Sequence, residues 1–342
     1  MVTIYDIAKL AGVSPPSVSK AMNGSREISE ATRARILTIA KDLGYTPNAH
    51  AKALTRRRSY LVGVLYHETH TMLGLEHPLF AGIINAFKER MEASGYELMF
   101  ITRDLGGSRM SFAEHCRYRG VDAVYIANCV TDDPDLRELL QAGFTCVAGN
   151  NIFPGIPAVI TDNQGAVKAL TLRLAALGHK RIAHVAGTVD PLSPAAIERH
   201  KGYLAGLEEA GLPYDPTLHV DCDEWNFEEG ARGMRTILER GGRPTAVIAG
   251  CDVMAFGIMR VLRERGYSIP RDVSVAGFDD YDISAYFQPA LTTMRQDRTA
   301  MGLKAAEILL GLLGGVKPAE MITRVPARLM ERQSTGPAPR ES

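Results

Sequence analysis

From Tyr60 to Tyr66 (YLVGVLY) the chain is apolar without a break, the pattern of a strand buried on both faces of a parallel sheet. Behind it come alternating patterns of helical period and short apolar runs: Phe80 to Ser94, Tyr96 to Ile101, Asp122 to Asn128 and Phe144 to Gly149. A second set follows. Helical stretches at Asn163 to Leu177, Ala195 to Ala210, Phe227 to Arg240 and Asp252 to Arg265 alternate with strand-like runs. Those runs are Arg181 to Gly187, Leu218 to Asp221, Ala246 to Gly250 and Val273 to Gly277. Strands alternating with helices predict βαβ units, and two such sets predict two doubly wound α/β lobes with parallel sheets. Sheets of this kind bind ligands beyond the carboxyl ends of their strands, so facing lobes would enclose a small molecule.

The stretch from Thr3 to Arg58 is patterned differently. Thr3 with Asp6 is placed to start a helix at Ile4, which ends at Ala11 before Gly12, a residue that accepts a left-handed turn. Ser14 caps a second helix that opens on Pro15 and Pro16, where no intrahelical amide is lost. Together they predict a helix-turn-helix, whose second helix would enter a DNA major groove. A third helix, capped at Ser29 and closed at Gly44, offers Ile36, Leu37, Ile39, Ala40 and Leu43 to cover the other two.

Charge strengthens the DNA reading. Through Ser59 ten basic side chains face four acidic ones, a net +6. The 342-residue chain balances 39 of each sign, so the remainder carries −6. A basic head on an oppositely charged body suits phosphate binding at one end. No apolar run is long enough for a bilayer, and Met1 to Asp6 lacks the build of a signal peptide, so a cytoplasmic, nucleoid-associated protein is expected. Five scattered cysteines read as buried free thiols. No pair of them has zinc spacing, and His67-Glu68-Thr69-His70, in the insertion-like 66–76 stretch, reads as a solvated loop, so neither metal nor cofactor is expected. An enzyme is disfavoured because no glycine fingerprint, phosphate loop or serine elbow is visible. A transport solute-binding protein is disfavoured by the basic head and the missing leader.

The stretches TIYDIAKLAGVSPPSVSKAMNG, ISEATRARI, LGYTPNAHAKAL and VGVL resemble the headpiece of the lactose-repressor/galactose-repressor (LacI/GalR) transcription factors. The resemblance implies a helix-turn-helix headpiece (1–46), a hinge helix (47–59), and a periplasmic-binding-protein-like body. In the body it implies a first lobe of 60–160 plus 291–322, a second of 161–290 plus 323–334, and a loose tail at 335–342. The chain would cross between lobes near Thr161, Leu291 and Thr323. DNA contacts would come from Thr3, Tyr5, Ser14, Pro15, Pro16, Ser17, Lys20 and Asn23. From the hinge come Ala51 and Leu54, with Leu54 wedging between base pairs in the minor groove. The two prolines stand where relatives often place base-reading side chains, which shifts base contact toward Lys20.

For a small effector the resemblance points to Phe80, Gln164, Arg199, Trp225, Asp279 and Gln296. An arginine fork and a carboxylate can grip neighbouring hydroxyls while an indole covers an apolar ring face, so a sugar or sugar derivative is favoured and a purine is the alternative. Structural roles compete: Arg199 with Asp279 as an ion pair, Trp225 as core, Phe80 as helix-start packing, Asp280 as a turn anchor. Cys251 stands where the family often has a better hydrogen-bonding side chain. Implied overall is a homodimeric regulator, read as a repressor, that binds a palindromic operator. No apolar heptad after Arg328 would join dimers further.

Overall fold

The computed structural model describes residues 2–45, 58–67, 74–189 and 194–340, in two compact units, Met1–Ser59 and Tyr60–Ser342. The first unit holds helices α1 (Ile4–Ala11), α2 (Pro15–Met22) and α3 (Glu30–Asp42). The Asp6 carboxylate accepts from the Thr3 amide and hydroxyl, and Gly12 turns the chain at φ 61°. Ser14 accepts from the Ser17 amide and so caps α2. Ile7, Val18, Ile36 and Ala40 are buried where the three helices meet. Each buried Val or Ile contributes about 1.5–3 kcal/mol, enough to hold a small helical unit with few other contacts. Leu37, expected on that covering face, is instead 44% exposed. The proposed hinge, with Ala51 and Leu54, lies outside the described residues, as do residues 68–73 of the insertion-like loop.

In the second unit the first sheet contains β1 (Leu61–Tyr66), β2 (Glu97–Phe100), β5 (Ala123–Asn128), β6 (Cys146–Gly149), β7 (Ala158–Thr161) and β13 (Ile322–Val325). They are ordered β13-β7-β6-β5-β1-β2 and are all parallel. A small hairpin, β3 (Asp104–Leu105) with β4 (Ser108–Arg109), lies apart from it. Helices α4 (Pro78–Glu92), α5 (Phe112–Arg119), α6 (Pro134–Gln141) and α11 (Arg298–Leu313) belong to this lobe.

The second sheet contains β8 (Ile182–Ala186), β9 (His219–Asp221), β10 (Ala246–Ala249), β11 (Ser274–Asp279), β12 (Thr292–Arg295) and β14 (Arg328–Met330). Its order is β14-β12-β11-β10-β8-β9, parallel except for β14. Helices α7 (Asn163–Ala176), α8 (Pro194–Glu209), α9 (Phe227–Glu239) and α10 (Asp252–Glu264) pack on it.

Two of the expected crossings move. Thr292–Arg295 pairs with β11 in the second sheet, so the chain leaves that lobe at Gln296–Asp297 rather than near Leu291. Ile322–Val325 pairs with β7 in the first sheet, so the return falls at Pro326–Ala327 rather than near Thr323. Each short strand goes where its backbone groups find partners, and its own residues do not say which sheet that is. The tail is not loose either. Ser334 is fully buried and donates to the Val275 carbonyl at 2.6 Å, and the Gly336 and Ala338 amides bond Ser274 and Leu177.

Candidate functional site

In the helical unit the residues singled out for DNA stand on its surface. Tyr5 is 69% exposed; Thr3, Ser14, Pro16, Lys20 and Asn23 are exposed, and Pro15 and Ser17 are half-buried. Val18, between them in α2, is fully buried and holds the helix down. Lys20 pairs with Glu27 at 2.5 Å, both side chains largely in solvent. Such a pair is weakly held, so a phosphate or base edge can take the ammonium over.

The other group of candidates gathers at the carboxyl ends of the second sheet, where α/β lobes place ligands. Arg199 projects from α8 and is 95% buried by exposure, at 5%. Its Nε donates to Asn163 Oδ1 at 2.9 Å and its Nη1 to the Gly250 carbonyl at 2.5 Å. The guanidinium carbon lies 3.7 Å from the Phe278 ring centroid and 5.2 Å from that of Trp225, so two aromatic faces steady the charge. Burial still pulls the Arg199 pKa down, opposed chiefly by Asp279. Trp225, in the loop after β9, lies against the backbone of Gly187; a Cβ there would come within 2.3 Å of the indole.

Asp279 ends β11 with φ 116°, and Asp280 follows at φ 59°. Two successive acidic residues at positive φ are strained, and their side chains go to two different sets of partners. Asp280 turns to Arg295 at 2.5 Å and Arg332 at 2.6 Å, which makes it a structural anchor. Asp279 accepts from Gln296 Nε2 at 2.6 Å and from the Tyr281 hydroxyl. Burial raises its pKa, and Arg199 and His77 are the main opposing charges. Arg199 and Asp279 form no direct ion pair among the described residues; their opposed charges attract across the site.

Contacts from the first lobe reach the same cluster. Thr161, at the end of β7, donates to Gln296 Oε1. His77, which opens α4, meets the Tyr281 hydroxyl at 3.3 Å and packs on Phe80 with centroids 4.7 Å apart. Phe80 is itself buried in the first-lobe core beside Tyr66. Glu198 in α8 grips Arg324 of β13 through two bonds, at 2.7 and 2.9 Å. A cavity of about 500 Å³ opens beside the crossing, lined by Asp279, Gln296, Arg295, Arg298 and Pro326 among others; Arg199 and Trp225 do not line it.

Four of the six effector candidates, Arg199, Trp225, Asp279 and Gln296, therefore belong to one connected group, with Phe80 joined through His77. Gln164 does not join it: its side chain is exposed on the first turn of α7, and its neighbour Asn163 is the residue bonded to Arg199. Tyr281 carries no sequence signal of its own; Thr161 is marked only as a lobe crossing, and Asn163 and His77 only as chain neighbours of Gln164 and Phe80. Asp252 was also missed. Buried at the start of α10, it accepts from the Tyr281 amide (2.9 Å), the Ser284 hydroxyl (2.6 Å) and the Thr293 hydroxyl (2.5 Å). Burial and Asp279 outweigh those donors and push its pKa up to about 7. Cys251, just before it, turns its thiol toward the Trp225 carbonyl and caps nothing. All five cysteines are free and buried.

Residues 3–48 match the family described as bacterial regulatory proteins, lacI family, and residues 171–335 match the periplasmic binding protein-like domain. The HTH-type transcriptional regulator CelR of Thermobifida fusca is 33% identical over 337 residues, 97% of this chain and 98% of CelR. The chain belongs to the LacI/GalR family of transcriptional regulators. A solved complex of CelR with cellobiose superposes with a TM-score of 0.71 at 31% identity, covering 98% of this chain and 100% of that one. The lac repressor dimer bound to operator and the anti-inducer ONPF gives 0.80 at 28% identity, covering 98% and 99%. The helix-turn-helix head and two parallel-sheet lobes are thus the LacI-family architecture, and this chain is a ligand-responsive regulator of that family. Its relatives are regulators rather than enzymes. Among the described residues no helix is long and apolar enough to cross a membrane.

Proposed function

We propose that this LacI/GalR-family protein is a homodimeric repressor of a palindromic operator, controlled by a small sugar or sugar derivative bound where its two lobes meet. The observation that carries the effector class is the buried Arg199 guanidinium, held against Trp225 and Phe278 and facing the Asp279 carboxylate. Arg199 and Asp279 would grip adjacent hydroxyls from opposite sides, and the Trp225 face would cover the apolar side of a ring. Gln296 and Asn163 hold those two charged groups and so fix the spacing of the hydroxyls they can accept. The cellobiose in the CelR complex supports the sugar class.

On the DNA side, Lys20 would read bases, with Thr3, Tyr5, Ser14, Ser17 and Asn23 holding phosphates or base edges. Pro15 and Pro16 would offer apolar contact to a thymine methyl, and Ala51 and Leu54 would enter the minor groove. Such a protein works in the cytoplasm, where its operator lies.

A thermal-shift screen of mono- and disaccharides beside purines and nucleosides tests the effector class. A sugar should raise the melting temperature of the wild type, and Arg199→Lys should need about 10- to 100-fold more sugar for the same rise. Stabilisation by a purine and by no sugar would replace this reading with the nucleoside one.

A further inference from the structure

In the second lobe, next to Arg199 in sequence, three histidines from three elements meet. His184 lies in β8, His200 in α8 and His219 in β9, and their nearest ring nitrogens all lie within 4.8 Å of one another. His184 is fully buried, and neither of its ring nitrogens has a hydrogen-bond partner; His200 Nδ1 has none either. A neutral imidazole carries one N–H and one lone pair, and burying both unpaired costs on the order of 1–3 kcal/mol per group. A bound ion or an ordered water between the nitrogens is among the ways a fold offsets that cost.

The geometry points to a divalent transition-metal site of the zinc type, with His184, His200 and His219 as nitrogen ligands and Asp221 as the oxygen ligand. His219 Nδ1 sits 3.2 Å from the His184 carbonyl, and its Nε2 sits 3.2 Å from Asp221 Oδ1. A ring that donates from Nδ1 to the carbonyl meets a carboxylate at Nε2 favourably through either a second ring proton or a cation held between the two atoms, and the buried, unpartnered nitrogens of His184 and His200 beside it favour the cation. Zn–N and Zn–O bonds of about 2.1 Å in a tetrahedron set ligand atoms roughly 3.4 Å apart, close to the observed His219–Asp221 spacing. The Nδ1–H to carbonyl bond is the outer contact that commonly fixes the tautomer of a metal-bound histidine.

The ring centroids are spaced as for a shared ion, but His184 stacks nearly parallel on both partners, so the rings must turn their nitrogens inward to bind one. His184 and His219 are tilted by only 12° with centroids 5.3 Å apart, and His184 and His200 by 20° at 5.7 Å. Imidazoles that share one tetrahedral ion have centroids about 5 Å apart. His200 and His219, at 4.1 Å, must open slightly, and Asp221, exposed and already 3.2 Å from His219 Nε2, must turn toward the other two rings. Burial lowers the pKa of both His184 and His200. The set is spread over 38 residues of sequence, across a helix and two strands, so no short motif announces it. An ion here would tie β8, β9 and α8 together one residue from Arg199.

The test uses the full-length protein, stripped with a chelator and titrated with ZnCl2 against a chromophoric competitor, with Co2+ as a spectroscopic substitute. Saturable binding of one ion per chain is expected, with tetrahedral Co2+ bands and a higher melting temperature. His200→Gln and His219→Gln, both at partly exposed positions, should each weaken binding by about 10-fold or more and lose the Co2+ bands while melting cooperatively without metal. His70→Gln should bind like the wild type. Absence of saturable binding, or binding unchanged in both the His200 and His219 variants, would overturn the assignment.

Discussion

Arg199 shows how much of a site one side chain can organise. Two of its nitrogens are spent on Asn163 and Gly250, and two aromatic rings flank it, so the remaining edge of the fork has a fixed direction. Lysine keeps the charge but loses the planar fork. Arg199→Lys should therefore weaken effector binding by about 10- to 100-fold, the range of a lost charge-assisted bond, with operator affinity near that of the wild type. Isothermal titration calorimetry and fluorescence anisotropy read the two halves of that statement. Gly187 sets the complementary constraint, since a methyl group there would collide with the Trp225 ring. Gly187→Ala should displace the indole, cost about 1–3 kcal/mol in denaturant stability and shift the tryptophan emission; an unchanged spectrum would show that the ring is held elsewhere. At this scale the sequence reading found Arg199, Trp225 and Asp279 because they sit in recognisable runs. It preferred Gln164 to Asn163, adjacent residues whose difference is the direction each side chain takes from the first turn of α7.

Among the elements, the alternation of strands and helices was legible because a parallel strand covered on both faces must be apolar throughout. The order of the strands was not. Thr292–Arg295 and Ile322–Val325 are short and mixed in polarity, and only their partners assign the first to one sheet and the second to the other. The polar stretch from Ser334 on likewise reads as solvent-bound until its hydrogen bonds to β11 and β12 are seen. Asp252 joins α10, the turn after β11 and β12 through three donors, and none of those pairings is local. Its raised pKa has a consequence for stability. The folded carboxyl holds its proton to about pH 7, whereas an unfolded one releases it near 3.8. In between, the native state binds more protons than the unfolded one, so stability falls as pH rises through that window. The loss has an upper bound of roughly 4 kcal/mol. Urea melts from pH 4.5 to 7.5 should show a steeper decline in the wild type than in Asp252→Asn; parallel curves would mean that Asp252 is already ionised in the native protein.

At the scale of the whole molecule, residues 1–59 carry net +6 and the rest of the chain net −6, so the attraction to DNA phosphates in the proposed function belongs to the first unit and the proposed effector site to the second. What couples them is differential affinity. An effector that favours one arrangement of the lobes shifts DNA binding only by as much as it prefers that arrangement. Contacts that span the lobes, Thr161 with Gln296, His77 with Tyr281 and Arg324 with Glu198, are where such a preference would be registered. On the DNA side, Leu54→Ala should lower operator affinity by about 10-fold or more through loss of the minor-groove wedge, with effector affinity unchanged; equal operator affinity would remove the wedge. The most direct measurement is the anisotropy of a labelled palindromic duplex titrated with the full-length protein, with and without the sugar that stabilises it. The expected result is a tight, salt-sensitive complex whose affinity moves by roughly 5- to 150-fold when the sugar is added, a response that in Arg199→Lys needs about 10- to 100-fold more sugar. An affinity identical with and without a bound sugar would contradict the account.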